Sequence, residues 1–145
     1  MLHELLSTSG DLTLMLVRLA LGIVFFAHGS QKMLGWFGGA GFKKTMSLFT
    51  QQLHIPAPLA FLAFCAEFFG GLGLIAGLLT RVAAFGIAVD MVVAVLTVHL
   101  PNGFFMNWGG EQKGEGFEYH LLSIAITIAL MIGGGGALSI DRALS

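Results

Sequence analysis

The stretch that decides the fold is residues 12–34, LTLMLVRLALGIVFFAHGSQKML. Wound as an α-helix at 1.5 Å per residue, it is long enough to cross the roughly 30 Å hydrocarbon core of a bilayer. Its ionisable side chains are Arg18, His28 and Lys32. Working outward, three further apolar runs follow: Ala57–Leu79, Val82–Leu100 and Phe117–Gly133, the last continuing into Gly134–Gly136. Together they predict an all-α integral membrane protein, a four-helix bundle of four transmembrane helices. The spans fall at about 12–34, 57–79, 82–100 and 117–136 of a single domain, residues 1–145. Four crossings place both termini and the short turn at Thr80–Arg81 on one side, the terminal face. The long connections Gly35–Pro56 and Pro101–Gly116 then share the other side, the loop face.

The composition agrees. Of 145 residues, 56% are hydrophobic and 10% charged, whereas soluble domains carry about 25% charged residues. A mean hydropathy of +0.86 is more apolar surface than a soluble chain of this length can hide, which sets aside the water-soluble enzyme classes. Seven Lys and Arg against eight Asp and Glu give a formal net charge of −1. No basic excess is available to condense on phosphates, so no nucleic-acid partner is expected. A single cysteine, Cys65, allows no disulfide within the chain, no CxxC pair and no thiolate zinc site. In its run Phe61-Leu62-Ala63-Phe64-Cys65-Ala66 it reads as a small buried hydrophobe. The N-terminus reads as a span and not as a cleaved signal peptide, because Glu4 and Asp11 precede the apolar run and Arg18 interrupts it.

Between the spans, glycine and aromatics dominate. Gly73 and Gly77 form a GxxxG pair, the expected packing face of the second span. The loop Gly35-Trp36-Phe37-Gly38-Gly39-Ala40-Gly41 lacks the strand–turn–helix context and Gly-Lys ending of a phosphate cradle. Trp36 and Trp108 lie in the long loops with Phe37, Phe42, Phe104 and Phe105, as interfacial belt residues do. Phe42, Met46, Phe49 and Leu53 are spaced as one face of an amphipathic surface helix. Lys32, Lys43, Lys44 and Lys113 on the loop face mildly favour a cytoplasmic position for that face.

Charge at membrane depth is costly and marks candidate functional residues. Counting rise along each span sorts these residues into two layers. Arg18 lies roughly 9 Å from the terminal-face end of its span, Asp90 about 12 Å and Glu67 about 18 Å. Arg18, Glu67 and Asp90 are therefore expected to meet as a buried ion-pair network, with the guanidinium fork spanning the carboxylates. Such a network serves either helix register or the polar floor of a pocket. Nearer the loop face, His28 at about 24 Å and His99 at about 26 Å join Lys32, Asn102, Glu118 and His120. The candidate ligand-binding set is His28, Lys32, His99, Asn102 and Glu118. Imidazoles beside a lysine suit the carbonyl of a quinone and its protons. A metal is not expected, because Lys32 adds a cation and no His-x-x-x-His pair occurs. No Gly-x-Ser-x-Gly motif marks a nucleophile, and the catalytic residues are not identified.

Seven segments carry a family resemblance: Arg18-Leu19-Ala20-Leu21-Gly22, His28-Gly29-Ser30-Gln31-Lys32, Glu67-Phe68-Phe69-Gly70-Gly71, Gly77-Leu78-Leu79-Thr80-Arg81, His99-Leu100-Pro101-Asn102-Gly103-Phe104-Phe105, Gly116-Phe117-Glu118-Tyr119 and Leu138-Ser139-Ile140-Asp141-Arg142. In this order, over nearly the whole chain, the sequence resembles the DoxX family of small bacterial integral membrane proteins. The resemblance implies a multi-pass protein of the bacterial inner (cytoplasmic) membrane, associated with redox complexes and redox stress. The family name comes from a subunit of an archaeal thiosulfate:quinone oxidoreductase. The resemblance places Arg18 with Glu67 in the lower layer, and His28, Lys32, His99, Asn102 and Glu118 in the upper. Asp90 and His120 are placed from this sequence alone. No flavin fold, haem-attachment cysteine pair or thiosulfate-reactive cysteine is visible, so no independent thiosulfate oxidase activity is expected.

Three readings follow. In the first, the chain is a subunit of an oxidoreductase complex that needs a soluble or membrane redox partner and binds a quinone or other small lipophile between its helices. It then carries no intrinsic cofactor. In the second, it transports a small polar molecule or protons, which four spans do more readily as a homo-oligomer. In the third, it is an assembly protein whose buried charges fix helix register. The bilayer is its partner in all three.

Overall fold

The computed structural model describes residues 2–145, and every regular element among them is helical. The helices are α1 (Leu2–Leu6), α2 (Leu12–Met33), α3 (Gly41–Ser47), α4 (Ala57–Ala76), α5 (Thr80–Ala94), α6 (Glu118–Gly133) and α7 (Ile140–Leu144). A π-helical turn at Leu48–Gln52 extends α3, and a second, Val95–His99, extends α5. Three helical segments are long and apolar enough to cross a membrane: Leu12–Met33, Ala57–Ala76 and Thr80–Asn102. The fourth apolar helix, α6, has 16 residues. Its predicted span ran on to residue 136, but Gly134 and Gly136 adopt φ of 79° and 71° and turn the chain out of the helix.

Packing runs α2 on α4, α4 on α5, α5 on α6, with α6 touching α2. Leu21, Phe25, Leu74, Ile87, Met91 and Leu130 form the shared core. Large apolar residues on the outer faces, such as Leu62 and Phe69 on α4, Phe85 on α5 and Ile132 on α6, stay exposed. A helix that is hydrophobic all round fits such a position, since lipid is as good a neighbour as protein for those side chains.

Glycine sets the closest helix pair, though at other positions than the expected GxxxG. A Cβ on Gly22, Gly71 or Gly29 would meet backbone of the opposite helix: Ile75 N at 2.9 Å, Phe26 N at 2.4 Å and Phe68 Cα at 2.5 Å respectively. Gly77, the second member of the expected pair, instead ends α4 with φ of 67°, the left-handed C-terminal residue that glycine adopts without strain.

These three contacts fix the register. Matching the two predicted spans end to end would set Gly22 opposite Phe69. It lies opposite Ile75, a slide of about 9 Å at helical rise. In this register Arg18 comes level with Leu79 and Glu67 with Ser30, about 18 Å apart in height.

Two arginines finish the terminal face. Arg18 is 1% exposed. Its Nε donates to Gly135 O at 2.7 Å, and its other nitrogens donate to the carbonyls of Leu74, Ile75, Ala137 and Leu138. It thus adds donors to the carbonyls of Leu74, which Gly77 N also reaches, and Ile75 at the end of α4, and holds the 134–138 strap beneath them. Arg81 does the same for α6, donating to Met131 O and Ile132 O, and it also donates to the carbonyls of Glu4 and Leu5 in α1 and of Ser7 just after it. Asp141 of α7 caps α5 from a distance, accepting from Leu79 N at 2.7 Å and Thr80 N at 2.8 Å. α1 and α7 touch, so the first and last helices lie together.

Candidate functional site

At the other end of the molecule the polar groups are arranged differently. The last turn of α2 presents Lys32, whose ammonium pairs with Glu67 of α4. Its place is local in origin: α2 ends one residue later, and the glycine loop folds back so that Gly39 lies against Gln31 backbone. Phe49, on the π-helical turn after α3, stands 5.8 Å from the Lys32 Nζ and covers it with a ring face, a favourable cation–π contact. The predicted amphipathic segment thus forms, but it packs inward, with Phe42 and Phe49 edge-on to Phe64 of α4.

Asp90 completes the charged group. Gly70 of α4 packs on Ile87 of α5, which brings Asp90, about one turn further on, level with Glu67. The two carboxyl groups line the same cavity. From α6 come Tyr119 and His120. The His120 ring lies 4.0 Å from that of His99, and Tyr119 lies 6.3 Å from His28. His99 Nδ1 is hydrogen-bonded to Glu115 O at 2.9 Å.

His28, Lys32, Glu67, Asp90, His99, Tyr119 and His120 all line one cavity of about 1320 Å³. Its remaining wall is almost wholly apolar and runs between α4 and α5, past Leu62, Phe69 and Val89 to Val82 at the start of α5. Those residues are themselves exposed on the outer helix faces, so the cavity is a groove open to the side with a polar patch at one end. Four buried polar atoms in that patch, Glu67 Oε2, Asp90 Oδ2, Tyr119 OH and His120 Nδ1, make no hydrogen bond of normal geometry among the described residues. Buried polar groups in proteins are otherwise nearly always satisfied.

Two expectations are corrected here. The Arg18–Glu67–Asp90 network does not form: the α2–α4 register separates Arg18 from Glu67, and backbone carbonyls take its donors. Glu67 and Asp90 join Lys32 instead. Asn102 and Glu118, placed with the ligand-binding set, do not line the cavity. Asn102 Nδ2 donates to Val98 O and Glu115 O, and Glu118 accepts from Met106 N at 2.8 Å and Trp108 Nε1 at 3.3 Å. Both are occupied in shaping the 103–117 loop. Tyr119 and Phe49 were not singled out for the site. Tyr119 is the chain's one tyrosine, a polar tip at the head of an apolar run, and that was the available signal. Among the described residues no group of three or more His, Cys, Asp and Glu is placed to hold a metal.

The DoxX family model matches residues 13–100. The chain belongs to the DoxX family. The matched segment of this DoxX protein includes Lys32, Glu67, Asp90 and His99, while Tyr119 and His120 lie beyond it. Among curated proteins it is similar to "Putative oxidoreductase CatD" of Bacillus subtilis (strain 168), 30% identical over 86% of this chain and 83% of that one. It is also similar to "Uncharacterized membrane protein Rv3486" of Mycobacterium tuberculosis (strain ATCC 25618 / H37Rv), 32% identical over 98% of this chain and 87% of the relative. No solved structure matches. The chain is thus a helical membrane protein of the DoxX family.

Proposed function

We propose that this DoxX protein is the membrane subunit of a redox complex, and that it holds a quinone, or another small lipophile with a hydrogen-bonding head, in the groove between α4 and α5. In this reading α2, α4, α5 and α6 cross the bacterial inner membrane as a four-helix bundle, with both termini on one face. The supporting observation is the cluster of unsatisfied polar atoms at one end of an otherwise apolar, laterally open cavity. Ligand sites combine an apolar wall with a few convergent polar groups in this way. A cavity of about 1320 Å³ exceeds the roughly 300–1,000 Å³ of ordinary small-molecule pockets, which suits a head group with an attached tail. The head carbonyls would be met by donors from Lys32, Tyr119 and His120. A bound quinone would supply two-electron, two-proton redox chemistry; the electrons need a partner protein. The name of the Bacillus relative points the same way.

The test is native mass spectrometry of the protein extracted gently from its own membrane. The expected result is a reproducible adduct at a quinone or lipid mass. It should disappear in the Lys32→Met/Glu67→Gln variant, which removes both members of the ion pair and leaves Asp90 to take up a proton. A bare protein mass, or an adduct indifferent to that variant, would overturn the reading.

A further inference from the structure

The charge balance of the polar patch leads beyond ligand binding. One ammonium, Lys32, faces two carboxyl groups, Glu67 and Asp90. From the remaining elements the cavity is lined by His28 of α2, His99 of the turn after α5, Glu115 of the loop before α6, and Tyr119 and His120 of α6. None of these carries a fixed positive charge. With both carboxyls ionised the patch would hold a net negative charge at membrane depth, which is costly. Glu67 Oε2 and Asp90 Oδ2 are each buried with no donor from the described residues, and the packing of Gly70 on Ile87 sets the two carboxyls level on facing helices, lining one cavity. Two carboxylates attract each other only with a proton between them.

A route to the loop face adjoins the pair. Lys32, the two carboxyls and both imidazoles line the same cavity. The His120 ring lies 4.0 Å from that of His99 and tilted 39° to it, and His99 Nδ1 is hydrogen-bonded to the backbone carbonyl of Glu115, an exposed loop residue. Imidazoles pass protons by accepting at one nitrogen and donating from the other, and the orphaned His120 Nδ1 is free to do so.

We propose that Glu67 and Asp90 together hold one exchangeable proton, and that His120 and His99 carry it between the cavity and the loop face at Glu115. The step moves a proton alone: the carboxyl pair gives its proton to a group in the cavity and regains one from His120, which is resupplied through His99. No electron moves and no bond between heavy atoms changes. The proposal stands whatever ligand occupies the groove.

Infrared spectroscopy of the full protein in nanodiscs at neutral pH reads this directly, with no ligand added. Wild type should show one carboxylic-acid C=O band that shifts in deuterium oxide. The band should vanish in Asp90→Asn and also in Glu67→Gln. In His99→Phe/His120→Phe the band should remain, with its deuterium shift slowed by about tenfold or more, as loss of a positioned proton carrier requires. No acid band in wild type, or a band that survives in both carboxyl variants, would overturn the shared proton. An unchanged exchange rate in the double histidine variant would overturn the route.

Discussion

Arg18 gives the sharpest test of the architecture. Replacing it by Met keeps much of the buried stem and removes the guanidinium. Three of its hydrogen bonds are short, to Gly135 O at 2.7 Å, to Leu74 O and to Ile75 O at 2.9 Å; those to Ala137 and Leu138 are longer, at 3.4 and 3.3 Å. A buried acceptor left without a partner costs roughly 1–3 kcal/mol. Three strong bonds at the low end of that range give an expected loss of about 3 kcal/mol. Denaturant unfolding in mixed micelles, followed by circular dichroism, measures the loss. The register makes a further demand. Arg18 and Glu67 lie about 18 Å apart in height, so Arg18→Met and Glu67→Gln should act independently. A double-mutant cycle should then show a coupling under about 0.5 kcal/mol. Coupling above about 1 kcal/mol would restore a direct Arg18–Glu67 pair and refute the register derived from the glycine contacts.

Other outcomes follow from the same contacts. Gly71→Ala places a methyl 2.4 Å from Phe26 N, and since backbone cannot step aside, α2 and α4 should part at a cost of about 1–3 kcal/mol. Thermal unfolding should show this, and Lys32 and Glu67 should move apart with it. Asp141→Ala removes the cap on Leu79 N and Thr80 N and should cost about 0.5–2 kcal/mol in the same assay, with cavity ligands unaffected. Glu118→Ala leaves Met106 N without its acceptor. Hydrogen exchange there should quicken by about one to two powers of ten, while ligand retention in the native mass spectrum stays unchanged because Glu118 does not line the cavity.

The helices were legible from apolar run lengths, and the starts of α2 and α4 fall where the runs begin, at Leu12 and Ala57. What run lengths cannot carry is vertical offset. Treating spans as rods of equal height put Arg18 near Glu67. Gly22, Gly29 and Gly71 decide otherwise, because at those positions the backbones of α2 and α4 approach closely. The glycines were visible, but which of the chain's 21 face a neighbour is a property of the packed pair. The same offset explains why Lys32 was read into one layer and its partner Glu67 into another. Asn102 and Glu118 failed for a different reason: depth alone does not reveal whether a polar side chain turns to the cavity or closes its own loop.

Both ends of the molecule bury charge, and the difference between them separates scaffold from site. At the terminal face Arg18 and Arg81 meet carbonyls that helix ends leave free, and Asp141 meets amides that a helix start leaves free. Each charge there completes a backbone need, so the cluster is explained by folding alone. At the loop-facing end the Lys32–Glu67 contact leaves a second carboxyl, a phenol and an imidazole nitrogen over. Those surplus atoms converge on one cavity and have no backbone duty. If helix register were the purpose of this cluster, the Lys32–Glu67 pair would suffice, and Asp90 could be apolar at a gain in stability. Asp90→Leu should therefore leave the fold at least as stable as wild type in the micelle unfolding assay, and yet abolish the carboxylic-acid band. A destabilisation of more than about 2 kcal/mol would instead make Asp90 part of the scaffold, and the patch would lose its claim to a role beyond packing.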